Sequence, residues 1–240
     1  LAHVADESVD AVCAGRTDTG VHAAGQVVHF DTRAMRSERG WLLGTNTNLP
    51  DDICVTWVKP VDDDFHARFS ATARRYRYCI LNRLVRSALY RRRAWWVHQD
   101  LDHRRMHDAA QVLLGEHDFS AYRAAGCQSR TAVRELTRLD VERHGEWISI
   151  TVTANAFLQH MVRNLTGVLV GVGPGAITTS ATAWNSVTMT SRIRGSTARV
   201  MASSRSSSRA RSSNCSSEIC SSSSAASTVC SMEWASASVS

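Results

Sequence analysis

Apolar and polar positions alternate along the first 172 residues in short, punctuated runs, and each run predicts an element. Residues 1–8 read as the last turns of a helix. Residues 9–14 and 26–32 read as strands, the second alternating Val27, His29 and Asp31 against Val28, Phe30 and Thr32. Between them, Gly15 and Gly20 bracket Arg16, Thr17, Asp18 and Thr19. Glycine adopts positive φ and admits a close backbone, so a turn this tight pushes its central side chain outward. Ser37 stands where it would cap a helix through Trp41, Leu42 and Leu43, which the polar, proline-ended stretch 46–50 then breaks. Residues 53–58 form a β-branched strand, followed by a polar loop over 61–66.

The second half follows the same grammar. Residues 75–80 alternate Arg75, Arg77 and Cys79 against Tyr76, Tyr78 and Ile80, which predicts a strand with one cationic and one aromatic face. Arg83, Arg86, Arg91, Arg92 and Arg93 make a basic loop ahead of an apolar stretch at 94–97. Asp102 caps a helix carrying Met106, Ala109, Ala110, Leu113 and Leu114, ended by Gly115. Residues 116–129 read as a polar loop, and 131–143 with 147–153 as a long hairpin about His144 and Gly145. Asn155 opens an amphipathic helix on which Arg163 falls among Phe157, Leu158, Met161, Val162 and Leu165. The order of elements predicts an α+β protein with a largely antiparallel sheet.

Composition changes this picture in one place. Beyond residue 172 there is no Leu, Phe, Tyr, His or Asp, and from Ser203 onward roughly half the residues are serine. The formal charge of +6 divides unevenly: six Arg against two Glu lie in 173–240, leaving 22 basic and 20 acidic side chains before it. Local patches, not net charge, therefore carry any argument about nucleic acid. The switch predicts a Ser/Arg-rich, disordered tail over 173–240 and suggests a shift of reading frame near Val172. Cys13, Cys54, Cys79 and Cys127 read as reduced core thiols. Cys215, Cys220 and Cys230 lack zinc-site spacing. With no long apolar run and no signal-peptide pattern, the chain reads as soluble and cytoplasmic.

Several side chains suggest chemistry. Asp18, beside an arginine and two hydroxyls, suits work on an anionic substrate, although a hairpin turn with a solvated carboxylate has the same sequence. Asp18, Thr19 and Gly20 also spell the aspartic-protease triplet, but a neighbouring arginine opposes the shared-proton dyad that such enzymes need. The strand at 75–80 suits RNA, since phosphates need cations and unstacked bases need flat rings; tyrosines packed on a core would give the same pattern. His103 and His107 are four apart on a helix, but no third ligand accompanies them, and no metal site is expected.

Taken together, these segments resemble the tRNA pseudouridine synthase A family. The resemblance rests on Cys13-Ala-Gly-Arg-Thr-Asp-Thr-Gly-Val-His-Ala, Gln26-Val-Val-His-Phe, Asn48-Leu-Pro, Asp64-Phe-His-Ala-Arg-Phe-Ser-Ala-Thr-Ala-Arg-Arg-Tyr-Arg-Tyr, Gly115-Glu-His-Asp-Phe and Asn155-Ala-Phe-Leu-Gln-His-Met-Val-Arg-Asn. It implies the pseudouridine synthase fold, a mixed sheet with flanking helices that is incomplete at both ends. A catalytic half would span 1–100, the start of a second half 101–172, and a non-family tail 173–240. It further implies isomerisation of uridine to pseudouridine at positions 38, 39 and 40 of the tRNA anticodon arm. A homodimer would do this without metal or organic cofactor and without a membrane. Asp18 matches the catalytic aspartate, Arg163 the arginine that pairs with it, and Tyr76 the ring that stacks on the target base. Arg16, Thr17, His22 and Arg68 fall to substrate binding. An inactive RNA-binding remnant of the same family is the alternative that truncation would produce, with marginal stability.

Overall fold

The computed structural model describes residues 1–18, 20–175, 200–206 and 226–234, the last two segments as backbone. Cys215 and Cys220 lie outside the described residues, as do the other residues of 176–199, 207–225 and 235–240. The elements are α1 (Ala2–Ala5), β1 (Val12–Cys13), β2 (His22–Thr32), α2 (Glu38–Thr47), β3 (Ile53–Val61), β4 (Ala71–Asn82) and β5 (Trp95–Val97). Then come α3 (His103–Gln111), β6 (Gly115–Asp118), a 3-10 turn (Ser120–Tyr122), β7 (Val133–His144), β8 (Trp147–Ala154), α4 (Met161–Val172), β9 (Val200–Ser206) and β10 (Ala226–Trp234). This is the expected α+β architecture, a mixed and mostly antiparallel sheet with flanking helices.

Two compact units result: Leu1–Asp18, His22–Thr72 and Ser203–Ser240 in one, Thr19–Val21 and Ala73–Ala202 in the other. The division falls at the start of β4, well before residue 100, because β4 pairs with β8 and packs into the second core.

In the first unit, β1 pairs with β2, and β10 lies antiparallel between β2 and β3. Two strands thus occur inside the segment expected to be disordered. Sheet edges present unpaired N–H and C=O groups that any backbone can satisfy, so composition alone does not exclude pairing. Ser37 Oγ accepts the Gly40 N–H and starts α2, as predicted. Its Trp41 meets Phe30 at 5.0 Å, and with Val28, Val55 and Val58 they form the core. Asn46 fixes α2 to β3 with two bonds, donating to Val55 O at 2.9 Å and accepting its N–H at 2.7 Å.

In the second unit, β4, β8, β7 and β6 lie in antiparallel order, and β5 runs parallel to β4. Asp102 accepts from Arg104 and Arg105 N–H and caps α3. Gly145, with φ +60, turns the β7–β8 hairpin. Several boundaries differ from expectation, β2 for one starting at His22 instead of residue 26, and two have a plain local cause. The stretch 115–118, read as a helix-ending Gly115 and the start of a loop, is strand β6, all four residues exposed and held by β7. Helix α4 starts at Met161 instead of Asn155, because Asn155 Oδ1 accepts the Glu135 and Ala156 N–H groups and holds 155–160 as a loop. Buried Met161, Val162, Leu165, Val168, Leu169 and Val172 then anchor α4, each contributing about 1.5–3 kcal/mol of burial. The four cysteines of residues 1–175 are free thiols: Cys13 and Cys127 pack partly buried against the two cores, Cys79 is partly buried, and only Cys54 of these is exposed, outside the core expected for it.

Candidate active site

The Asp18 turn is held from below. Ala14 is buried and its N–H donates to Val27 O at 2.8 Å. One residue on, the buried Gln26 side chain bonds both backbone groups of Gly15, accepting its N–H at 3.3 Å and donating to its carbonyl at 2.5 Å. A primary amide presents a carbonyl acceptor and an NH2 donor side by side in one plane, so it substitutes for a ladder partner where β1 ends. The chain beyond this clamp carries Arg16 and Asp18 exposed and Thr17 half-buried. Of the two bracketing glycines, Gly20 uses its conformational freedom: its φ is +82, while a Cβ there would meet nothing within 4 Å. His22, half-buried, begins β2.

Arg68 belongs to a second loop of the same unit. Ala67, Ala14 and Val27 share a small core with Val61 and Phe65, so the Arg68 loop and the base of the Asp18 turn are packed together. His29, buried on β2, accepts the Ala67 N–H at Nδ1. Its ring lies 4.7 Å from that of His66, whose Nδ1 in turn accepts the Arg68 and Phe69 N–H groups. Burial, with the neighbouring His66 adding, lowers the His29 pKa; Asp31 and a Val12 backbone contact oppose. Arg68 itself is exposed and lies over the Phe69 ring.

Tyr76 and Arg163 both belong to the second unit. Tyr76, half-buried on β4, meets Phe157 edge-on at 4.9 Å. Two residues along the same face, Tyr78 is buried, and burial pushes its hydroxyl up to about 12 against the opposing charge of Arg163. The aromatic face is therefore core at Tyr78 and Ile80 and accessible only at Tyr76. On the other face, Arg75 donates to Thr153 Oγ1 and Arg77 is exposed. Arg163 is the third residue of α4, whose first turn holds no acid. A helix N-terminus carries partial positive charge and disfavours a cation by about 0.3–1 kcal/mol. An arginine there concentrates positive potential that a carboxylate or phosphate would complement.

Two features escape a reading of the sequence. Gln26 opens one of the motifs that carry the family resemblance, but nothing in that motif shows that its side chain clamps Gly15. The loop at 123–131 carries no motif, yet Arg123 donates to Cys127 O and Ser129 O, at 2.5 and 2.9 Å. The Gln159 and Ser129 backbone amides, assisted by Arg123, hold the Cys127 thiol below its usual range.

A family model described as tRNA pseudouridine synthase matches residues 1–70 and 109–204. The chain belongs to that family. Arg16, Thr17, Asp18, His22, Arg68 and Arg163 fall within the matched residues, Tyr76 between them, and the match continues past Val172. The chain is 57% identical over 175 residues to the tRNA pseudouridine synthase A of Shewanella amazonensis, covering 73% of this chain and 67% of that one. It is 57% identical over 173 residues to that of Pseudoalteromonas atlantica, covering 72% and 66%, and 54% identical over 175 residues to that of Legionella pneumophila, covering 73% and 67%. The chain thus spans about two thirds of the length of these tRNA pseudouridine synthases.

Proposed function

We propose that this chain isomerises uridine to pseudouridine at positions 38, 39 and 40 of the tRNA anticodon arm, with Asp18 as nucleophile. The observation that carries the proposal is an exposed carboxylate on a turn whose base is fixed by Gln26, in a chain of the tRNA pseudouridine synthase family. The reaction breaks the N1–C1′ bond, turns the uracil and closes a C5–C1′ bond. The C5 proton leaves and N1 gains one, so the product is an isomer and no redox partner or external group is consumed. A carboxylate suits this as nucleophile or as partner to oxocarbenium-like charge, as in glycoside chemistry.

Arg163 is proposed as the cation that pairs with the Asp18 carboxylate and aims it. Tyr76 would stack on the flipped uracil, offsetting part of the few kcal/mol that unstacking costs. Arg16, Thr17, His22 and Arg68 would hold the surrounding RNA. Further from the base, Arg86, Arg91, Arg92 and Arg93 are exposed on a loop without an acidic residue and would track phosphates. A cytoplasmic homodimer without metal or membrane completes the proposal. Among the described residues no helix is long and apolar enough to cross a membrane. Tritium release from 5-tritiated uridine in tRNA, with and without Asp18, tests the assignment; a binding remnant would hold tRNA and release nothing.

A further inference from the structure

The helix that carries Arg163 begins in an unfavourable way. Its N-cap is His160, a non-glycine residue with φ +61, and its side chain makes no capping bond. L residues reach that region only at a cost of roughly 1–2 kcal/mol, so surrounding bonds must hold it. Two bonds from one loop flank it. Ala124 N–H donates to Gln159 O at 3.1 Å, and Asn164 Nδ2 donates to Tyr122 O at 2.9 Å, one on each side of His160 and Arg163. Tyr122 is buried in the core against Phe119, and Arg123 ties the loop to itself through the Cys127 and Ser129 carbonyls.

We infer that the 122–129 loop clamps the start of α4 and sets the direction of Arg163, making Asn164 and Arg123 positioning residues for the isomerisation. Neither needs to touch RNA. Asn164 neighbours Arg163 on the first turn, so loss of its bond to Tyr122 frees the turn to rotate about the left-handed His160 junction. This inference rests on the role proposed for Arg163.

A double-mutant cycle on the full chain separates the two claims. Single-turnover tritium release and tRNA affinity are measured for wild type, Asn164→Ala, Arg163→Ala and the double variant. Asn164→Ala is expected to slow turnover about tenfold with tRNA affinity little changed, yet to slow the Arg163→Ala background less than about twofold. An equal fold-loss in both backgrounds would overturn the clamp and leave the role of Arg163 intact. A full rate for Arg163→Ala would overturn the role of Arg163 and the clamp with it. Should Asn164→Ala fail to fold, Arg123→Lys repeats the cycle with the same criteria. It keeps the charge at a half-buried position but replaces the planar Nη2 that bonds both carbonyls with a shorter, tetrahedral ammonium.

Discussion

Gln26 and Gly15 form a reciprocal pair: the buried amide accepts the glycine N–H and donates to the glycine carbonyl. This pair is where the antiparallel ladder of β1 and β2 gives way to the Asp18 turn, so the position of Asp18 depends on it. Gln26→Leu keeps the volume and orphans both Gly15 groups, which costs about 1–3 kcal/mol. A melting temperature lowered by several degrees, with slower turnover and little change in tRNA affinity, is the expected result. Unchanged melting and turnover would show that the pair is dispensable.

His29 makes stability depend on pH. Its folded pKa lies below the ordinary value of about 6.5, so the unfolded chain takes up a proton more readily. Stability from this group is complete above the unfolded pKa and declines as pH falls from about 6.5 toward the depressed folded value. Chemical denaturation between about pH 7 and pH 5 should show a steeper loss for wild type than for His29→Gln, which keeps an acceptor for Ala67 N–H. Parallel curves would remove His29 as the source.

Tyr76 can be tested by ring retention. Tyr76→Phe keeps the flat face and the edge contact with Phe157 and should retain most of the turnover. Tyr76→Leu keeps bulk without the face and should lose about 10- to 100-fold, the worth of one base stacked on an aromatic ring. Equal rates for the two variants would assign the tyrosine to packing alone.

The basic loop makes a different kind of prediction. Arg91→Gln with Arg93→Gln should weaken tRNA binding, leave single-turnover release at saturating tRNA near wild type, and flatten the dependence of affinity on salt. Removing one arginine that neutralises a phosphate lowers that slope by roughly 0.7–0.9. A salt slope equal to wild type would make the loop a solvated face.

Local chemistry makes much of this fold legible. Ser37 and Asp102 cap the helices they are expected to cap, and Gly145 turns the expected hairpin. The features that sequence does not announce depend on partners far along the chain. Gly115–Asp118 has no apolar alternation, and β7 makes it a strand. Asn155 looks like a helix cap, but its side chain is engaged by Glu135 across the hairpin. The backbone of 226–234 pairs with β2 and β3 by main-chain bonds that serine-rich composition does not reveal. At the site, the motif residues are legible as side chains with chemistry. The clamping by Gln26 and by the 122–129 loop is not, because it acts on backbone groups.

Tritium release from 5-tritiated uridine in tRNA tests the central claim most directly, because the label leaves only when C5 is joined to the sugar. The wild-type chain is expected to release label from the anticodon arm, and Asp18→Ala to bind the same tRNA without releasing any. Equal release by both would contradict Asp18 as the nucleophile, and no release by either with tRNA still bound would contradict the enzymatic account itself.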